Sequence, residues 1–109
     1  TNITSEMDLW CEELFGPVIA CAIAEDAAEA IQLANTSQHG MGAYLFTQDP
    51  TEIEMLPGQI ECGMVGVNTG AISMPHTPFG GVKHSGFGRE GGTDGIFEYL
   101  TTQTIVRQF

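Results

Sequence analysis

Apolar and polar positions follow two periods along this 109-residue chain, and each period predicts its own elements. Residues 17–24, Pro-Val-Ile-Ala-Cys-Ala-Ile-Ala, are an unbroken apolar run, which suits a strand buried on both faces. Asp26 then stands as a helix cap with Glu29 in the reciprocal position, and Ala27, Ala30, Ile31 and Ala34 recur at helical spacing until Asn35-Thr36-Ser37. Residues 42–47 predict a second strand. Asp49-Pro50-Thr51-Glu52 starts a second helix with a cap, a proline at the first helical position and an acid at the box position. Ile53, Leu56 and Ile60 supply its apolar face, but Pro57-Gly58 should kink or shorten it. Residues 64–68 predict a third strand, 94–100 a short helix, and 101–109 a strand in which Thr104 and Val106 alternate with Ile105 and Arg107. Strand, helix, strand, helix, strand argues for an α/β fold with a largely parallel sheet. The last strand has no local partner, so it is expected to dock on another chain or another part of a larger one.

Glycine changes that picture in the second half. Eleven of the fourteen glycines lie between Gly58 and Gly95, so residues 69–92 read as a long loop, a kind usually kept for function. The composition, 42% hydrophobic and 16% charged, excludes intrinsic disorder, and the absence of a run of about 18 apolar residues excludes a membrane-spanning helix. The chain opens on Thr1 rather than Met, which leads us to expect processing or truncation. The formal charge of −11 arises before residue 62, where eleven acids meet no Lys or Arg. Such a surface repels phosphate backbones and anionic lipid heads, so neither nucleic acid nor membrane is an expected partner. Cys11, Cys21 and Cys62 are odd in number with no CxxC pair, which suits a reducing, cytoplasmic setting rather than a disulfide framework. No metal site is expected, because His39, His76 and His84 show no ligand spacing.

Candidate chemistry is sparse when read from residues alone. Cys62 beside Glu61 could be a nucleophile, but a free cysteine opening a buried strand is usually a small hydrophobe. Gly86-Phe87-Gly88-Arg89-Glu90-Gly91 has the spacing of a dinucleotide fingerprint without the preceding strand, so a flexible glycine loop is the better reading. Glu12-Glu13-Leu14-Phe15-Gly16-Pro17 places acids and an aromatic ring just before the first strand. There a carboxylate can accept from a ribose diol and a ring can bound a flat base; the plainer alternative is a solvated helix end with Phe15 in the core.

Four strings occur in order: Glu12 to Val18, Gly63 to Asn68, Pro78-Phe79-Gly80-Gly81-Val82-Lys83-His84-Ser85-Gly86-Phe87-Gly88-Arg89-Glu90-Gly91, and Gly95 to Leu100. Together they resemble the C-terminal part of the NAD(P)-dependent aldehyde dehydrogenase family over essentially the whole chain, and Val67-Asn68-Thr69-Gly70-Ala71-Ile72-Ser73 looks most like its succinate-semialdehyde branch. The resemblance implies part of that family's catalytic domain over residues 1–100 and an oligomerisation strand over 101–109, making a homo-oligomer. It implies that Glu13 binds the nicotinamide-ribose hydroxyls of NAD or NADP, and that Phe15 stands beside the nicotinamide. It also implies that Ser73 helps hold the distal carboxylate of a semialdehyde, and that Phe79 follows the loop lining the substrate tunnel. Asn68 is read as structural. The family's chemistry runs through a cysteine thioester, hydride transfer and hydrolysis by a glutamate-activated water. Those catalytic residues and the Rossmann phosphate site match no position of this sequence, and Cys62 matches an apolar strand position. The 109 residues alone are therefore expected not to turn over. Pro57-Gly58, Met74-Pro75-His76-Thr77 and the scarcity of basic residues depart from the family's pattern. The scarcity of basic residues and the helix broken at Pro57-Gly58 support one rival expectation, a free-standing non-catalytic remnant that acts as a binding or oligomerisation module.

Overall fold

The computed structural model describes residues 3–4 and 6–109. Its elements, in order, are α1 (Asp8–Cys11), α2 (Ala27–Asn35), β1 (His39–Gly40), β2 (Gly42–Leu45), α3 (Pro50–Met55), a 3-10 turn (Pro57–Gln59), β3 (Met64–Val67), β4 (Val82–Lys83) and a second 3-10 turn (Asp94–Tyr99).

Both longer helices begin where the sequence supplies a cap. The Asp26 carboxylate accepts from the Glu29 amide at 2.8 Å. Glu29 reaches back past the cap to the Glu25 amide at 2.6 Å, one residue earlier than a simple box requires. At α3, Asp49 accepts from the Thr51 amide at 2.7 Å with Pro50 at the first position. Glu52 is held by the Thr47 hydroxyl rather than by the cap amide. Pro57 has no amide to give the helical ladder, so α3 stops at Met55 and tightens into the 3-10 turn, as Pro57-Gly58 requires.

The sheet is mixed. β2 and β3 pair in parallel, Gly42 opposite Met64 through Leu45 opposite Val67, with α3 in the crossover. β1 and β4 pair antiparallel, His39 opposite Lys83 and Gly40 opposite Val82. Asn68 closes β3 at φ 53°, a left-handed position that asparagine tolerates better than most residues. Its side chain accepts from the Thr47 amide and donates to the Thr47 carbonyl, both at 3.0 Å, so it clasps the end of β2.

Three expectations change. Residues 17–24 form no strand: Ile19 and Ile23 are 87% and 96% exposed, because no described strand lies beside them to pair with. Residues 101–109 likewise carry no ladder and are exposed throughout. The glycine-rich stretch, expected to be a loop throughout, contains β4 and a bridge between Phe79 and Glu90. The short helix expected at 94–100 is present, wound as a 3-10 helix over Asp94–Tyr99.

Backbone lies directly on backbone where the loop covers β3. A Cβ at Gly63 would overlap the Gly80 carbonyl, and one at Gly80 would overlap the Gly88 carbonyl. The core is thin, with Ile31 and Met64 its buried hydrophobic side chains. The radius of gyration is 18.0 Å, against about 13 Å for a compact domain of this length. This stretch of chain is a layer that offers apolar surface on several sides.

Candidate functional site

The sequence places Glu13 in a turn, and tertiary contacts fix where that turn sits. Trp10, in α1, donates from its indole Nε1 to the Thr36 hydroxyl at 2.9 Å, which ties α1 to the end of α2. Glu13 then faces a cavity of about 350 Å³ with His39, Gly40, Cys62 and Ser85 in its wall. Ser85 Oγ accepts from the Gly40 amide at 2.9 Å. His39 meets His84 edge to face with ring centroids 6.0 Å apart. The Cys62 thiol donates to the Met64 carbonyl at 2.9 Å, the role of a half-buried structural cysteine.

Ser73 and Phe79 share a second cavity, of about 420 Å³, with Tyr44, Met64 and Ile72. Phe79 is held there by reciprocal backbone bonds with Glu90, both 2.7 Å. Arg89 braces the same loop from within: its Nη1 donates to the carbonyls of Gly81 at 2.8 Å and Gly88 at 2.7 Å. Its amide donates to Glu98 at 3.2 Å. The structure thus brings Ser73 and Phe79 together and sets Glu13 in the next cavity. Phe15 is not gathered with them; it is 95% exposed and lines none of these walls.

Two residues that sequence reasoning did not single out matter here. One is Met41, which with its neighbour Gly42 lines both cavities. A lone large side chain between two glycines, Gly40 and Gly42, was the available signal. Lys83 is the other. Its ammonium donates to the carbonyls of Asn35 at 3.0 Å and Ser37 at 3.1 Å, at the C-terminal end of α2, and pairs with Glu61 at 2.7 Å. Asn35 meanwhile donates to the Gln59 carbonyl and accepts from the Glu61 amide, both at 2.8 Å. Lys83 therefore joins α2, the approach to β3 and the glycine-rich loop, and no sequence spacing links those positions.

Among the described residues, no group of three or more His, Cys, Asp or Glu could hold a metal ion. No helix among them is long and apolar enough to cross a membrane. As a carboxylate at a cavity wall, Glu13 has the chemistry to accept hydrogen bonds from the hydroxyls of a polar ligand.

Residues 1–105 match the family model described as "Aldehyde dehydrogenase family". Over 94 residues the chain is 51% identical to a succinate-semialdehyde dehydrogenase of Paenarthrobacter nicotinovorans, covering 86% of this chain and 21% of that one. It is 45% identical over 104 residues to the succinate semialdehyde dehydrogenase [NAD(P)+] Sad of Escherichia coli K12, covering 95% of this chain and 22% of the relative. The crystal structure of betaine aldehyde dehydrogenase from Staphylococcus aureus in complex with NAD+ superposes with a TM-score of 0.87 at 37% identity, covering 92% of this chain and 20% of that one. The chain spans about a fifth of the length of the relatives it matches.

Proposed function

The chain belongs to the aldehyde dehydrogenase family, and from that premise we propose that it is the C-terminal portion of an NAD(P)-dependent enzyme oxidising a semialdehyde, such as succinate semialdehyde, to the acid. The observation that carries this reading is the adjacency of the Glu13 cavity and the Ser73–Phe79 cavity across the shared residues Met41 and Gly42. The 51% identity to a succinate-semialdehyde dehydrogenase supports the substrate class.

Glu13 accepts hydrogen bonds from the nicotinamide-ribose hydroxyls, and Phe15 bounds the nicotinamide once further protein covers its exposed ring. Ser73 donates its hydroxyl to the distal carboxylate of the substrate. Phe79 walls the tunnel with apolar surface and excludes water from the aldehyde end. The cofactor, when bound, supplies the hydride acceptor. Cys62, half-buried and donating to the Met64 carbonyl, suits a structural thiol, and with the family's nucleophile matched by no position of this sequence the segment alone is expected to give no turnover. Residues 101–109, with Ile105 and Val106 66% and 88% exposed, pair with another subunit as a strand of a homo-oligomer in the cytoplasm.

The test uses the natural protein purified from its source, with succinate semialdehyde, an unsubstituted aldehyde of equal length, and each dinucleotide in turn. Losing one hydrogen bond to a charged partner corresponds to about a tenfold rise in KM. Glu13→Gln is expected to raise the dinucleotide KM by that factor and leave the aldehyde KM alone. Ser73→Ala is expected to raise the KM for succinate semialdehyde only. A natural protein that oxidises no aldehyde with either dinucleotide would overturn the proposal.

A further inference from the structure

We propose that Met41 is a specificity-determining residue, whose side chain forms the partition between the two cavities and limits the bulk of aldehyde that reaches the Glu13 side. This rests on the functional reading above and adds to it the residue that sets substrate width.

Met41 occupies the single position between β1 and β2. Of its neighbours, Gly40 is closed by backbone, and Gly42 meets the movable end of a side chain. A Cβ at Gly40 would fall 2.8 Å from the Glu61 carbonyl oxygen and from Val82 Cγ2, and one at Gly42 would fall 2.6 Å from Ile72 Cδ1. The Met41 side chain is the one side chain that residues 40–42 present. It lines the Ser73–Phe79 cavity and the Glu13 cavity, and it also meets Phe79 in a third cavity of about 410 Å³ under the glycine-rich loop. At 41% exposed it is not a core residue, so its size is not fixed by packing. An unbranched thioether has three rotatable bonds and adapts to what lies against it, which suits a partition that yields to a slender chain and resists a bulky one.

The experiment compares kcat/KM for succinate semialdehyde with that for a branched analogue and a homologue two methylenes longer, in the natural protein and in three variants. One methylene in an apolar pocket discriminates by about 10- to 200-fold. Met41→Ala is expected to shift the ratio about tenfold or more toward the bulky substrates, and Met41→Phe to shift it the other way by a similar factor. Met41→Leu, close in volume, should restore the natural ratio to within about threefold. A merely structural role would lower every kcat/KM together and leave the ratios unchanged. Unchanged ratios in both Met41→Ala and Met41→Phe, in protein that still oxidises succinate semialdehyde, would overturn the assignment of Met41 alone. Loss of all activity in Met41→Ala, with the ratio unchanged in Met41→Phe, overturns it as well. A natural protein inactive on every aldehyde removes the functional reading and this inference together.

Discussion

Replacing Lys83 by Met keeps the aliphatic stem and deletes the ammonium, which isolates what the charge holds. Two bonds to main-chain carbonyls are lost, at 3.0 and 3.1 Å, together with the 2.7 Å pair to Glu61. A net value of about 1 kcal/mol per carbonyl bond suits a partly wetted setting, and the Lys83 side chain is 26% exposed. The Glu61 side chain is 60% exposed, so solvent screens the ion pair to below about 1 kcal/mol. Lys83→Met should therefore cost about 2–3 kcal/mol locally, and Glu61→Gln less than about 1 kcal/mol. Hydrogen exchange in the natural protein reads this directly, because the amides of Glu61, Gly63 and His84 are bonded to Asn35, Gly40 and Gln38 around the same junction. At tenfold per about 1.4 kcal/mol, their exchange should quicken by about 30- to 100-fold in Lys83→Met and by less than about fivefold in Glu61→Gln. Raising the salt should leave the difference intact, since carbonyl acceptors carry no net charge to screen. Equal effects from the two variants would refute the argument, because the ion pair would then outweigh the carbonyl bonds.

Asn68 inverts the usual ranking of alanine and glycine. Asn68→Gly loses the two side-chain bonds to Thr47 but keeps an easy φ of 53°, whereas Asn68→Ala loses the bonds and adds about 1 kcal/mol of left-handed strain. Urea unfolding should find the alanine variant the weaker by about that amount, and an alanine variant as stable as glycine would contradict the reading. At Gly63, a methyl group displaces the backbone of Gly80, so Gly63→Ala should cost about 3 kcal/mol or more and lower the soluble yield. Gly58→Ala is the control: nothing lies within 4 Å of its Cβ, and the change should be neutral to within about 0.5 kcal/mol.

Local signals in the sequence carried the local structure. Asp26 and Asp49 cap as their spacing implies, and Pro57 ends α3 where it should. β2 and β3 lie inside the expected segments, each shorter at its C-terminal end. Periodicity failed where partners decide the outcome. The apolar run at 17–24 has the composition of a buried strand, but a strand is a pairing, and composition cannot supply the neighbour. β4 is two residues long and exists because glycine backbones approach closely, which leaves no alternation to detect. The site divides the same way. Glu13, Phe15, Ser73 and Phe79 were reached through a resemblance in ordered strings rather than through spacing. Lys83 makes its contacts with segments distant in sequence and so shows no pattern to read, and Met41 offers only its place between two glycines.

The stacked main chain of Gly63, Gly80 and Gly88 has a consequence for anyone building variant libraries of this protein. Substituting any other amino acid at position 63 or 80 adds a Cβ into a space already filled by a carbonyl. Relief at one position would have to come from movement at the next, which is itself hemmed in. Randomising those codons spends library size on chains that do not fold, and pairwise recombination offers no escape route. Diversity is better concentrated at exposed cavity-wall positions such as Ser73 and Met41, where a new side chain meets open volume and selection can act on chemistry instead of survival.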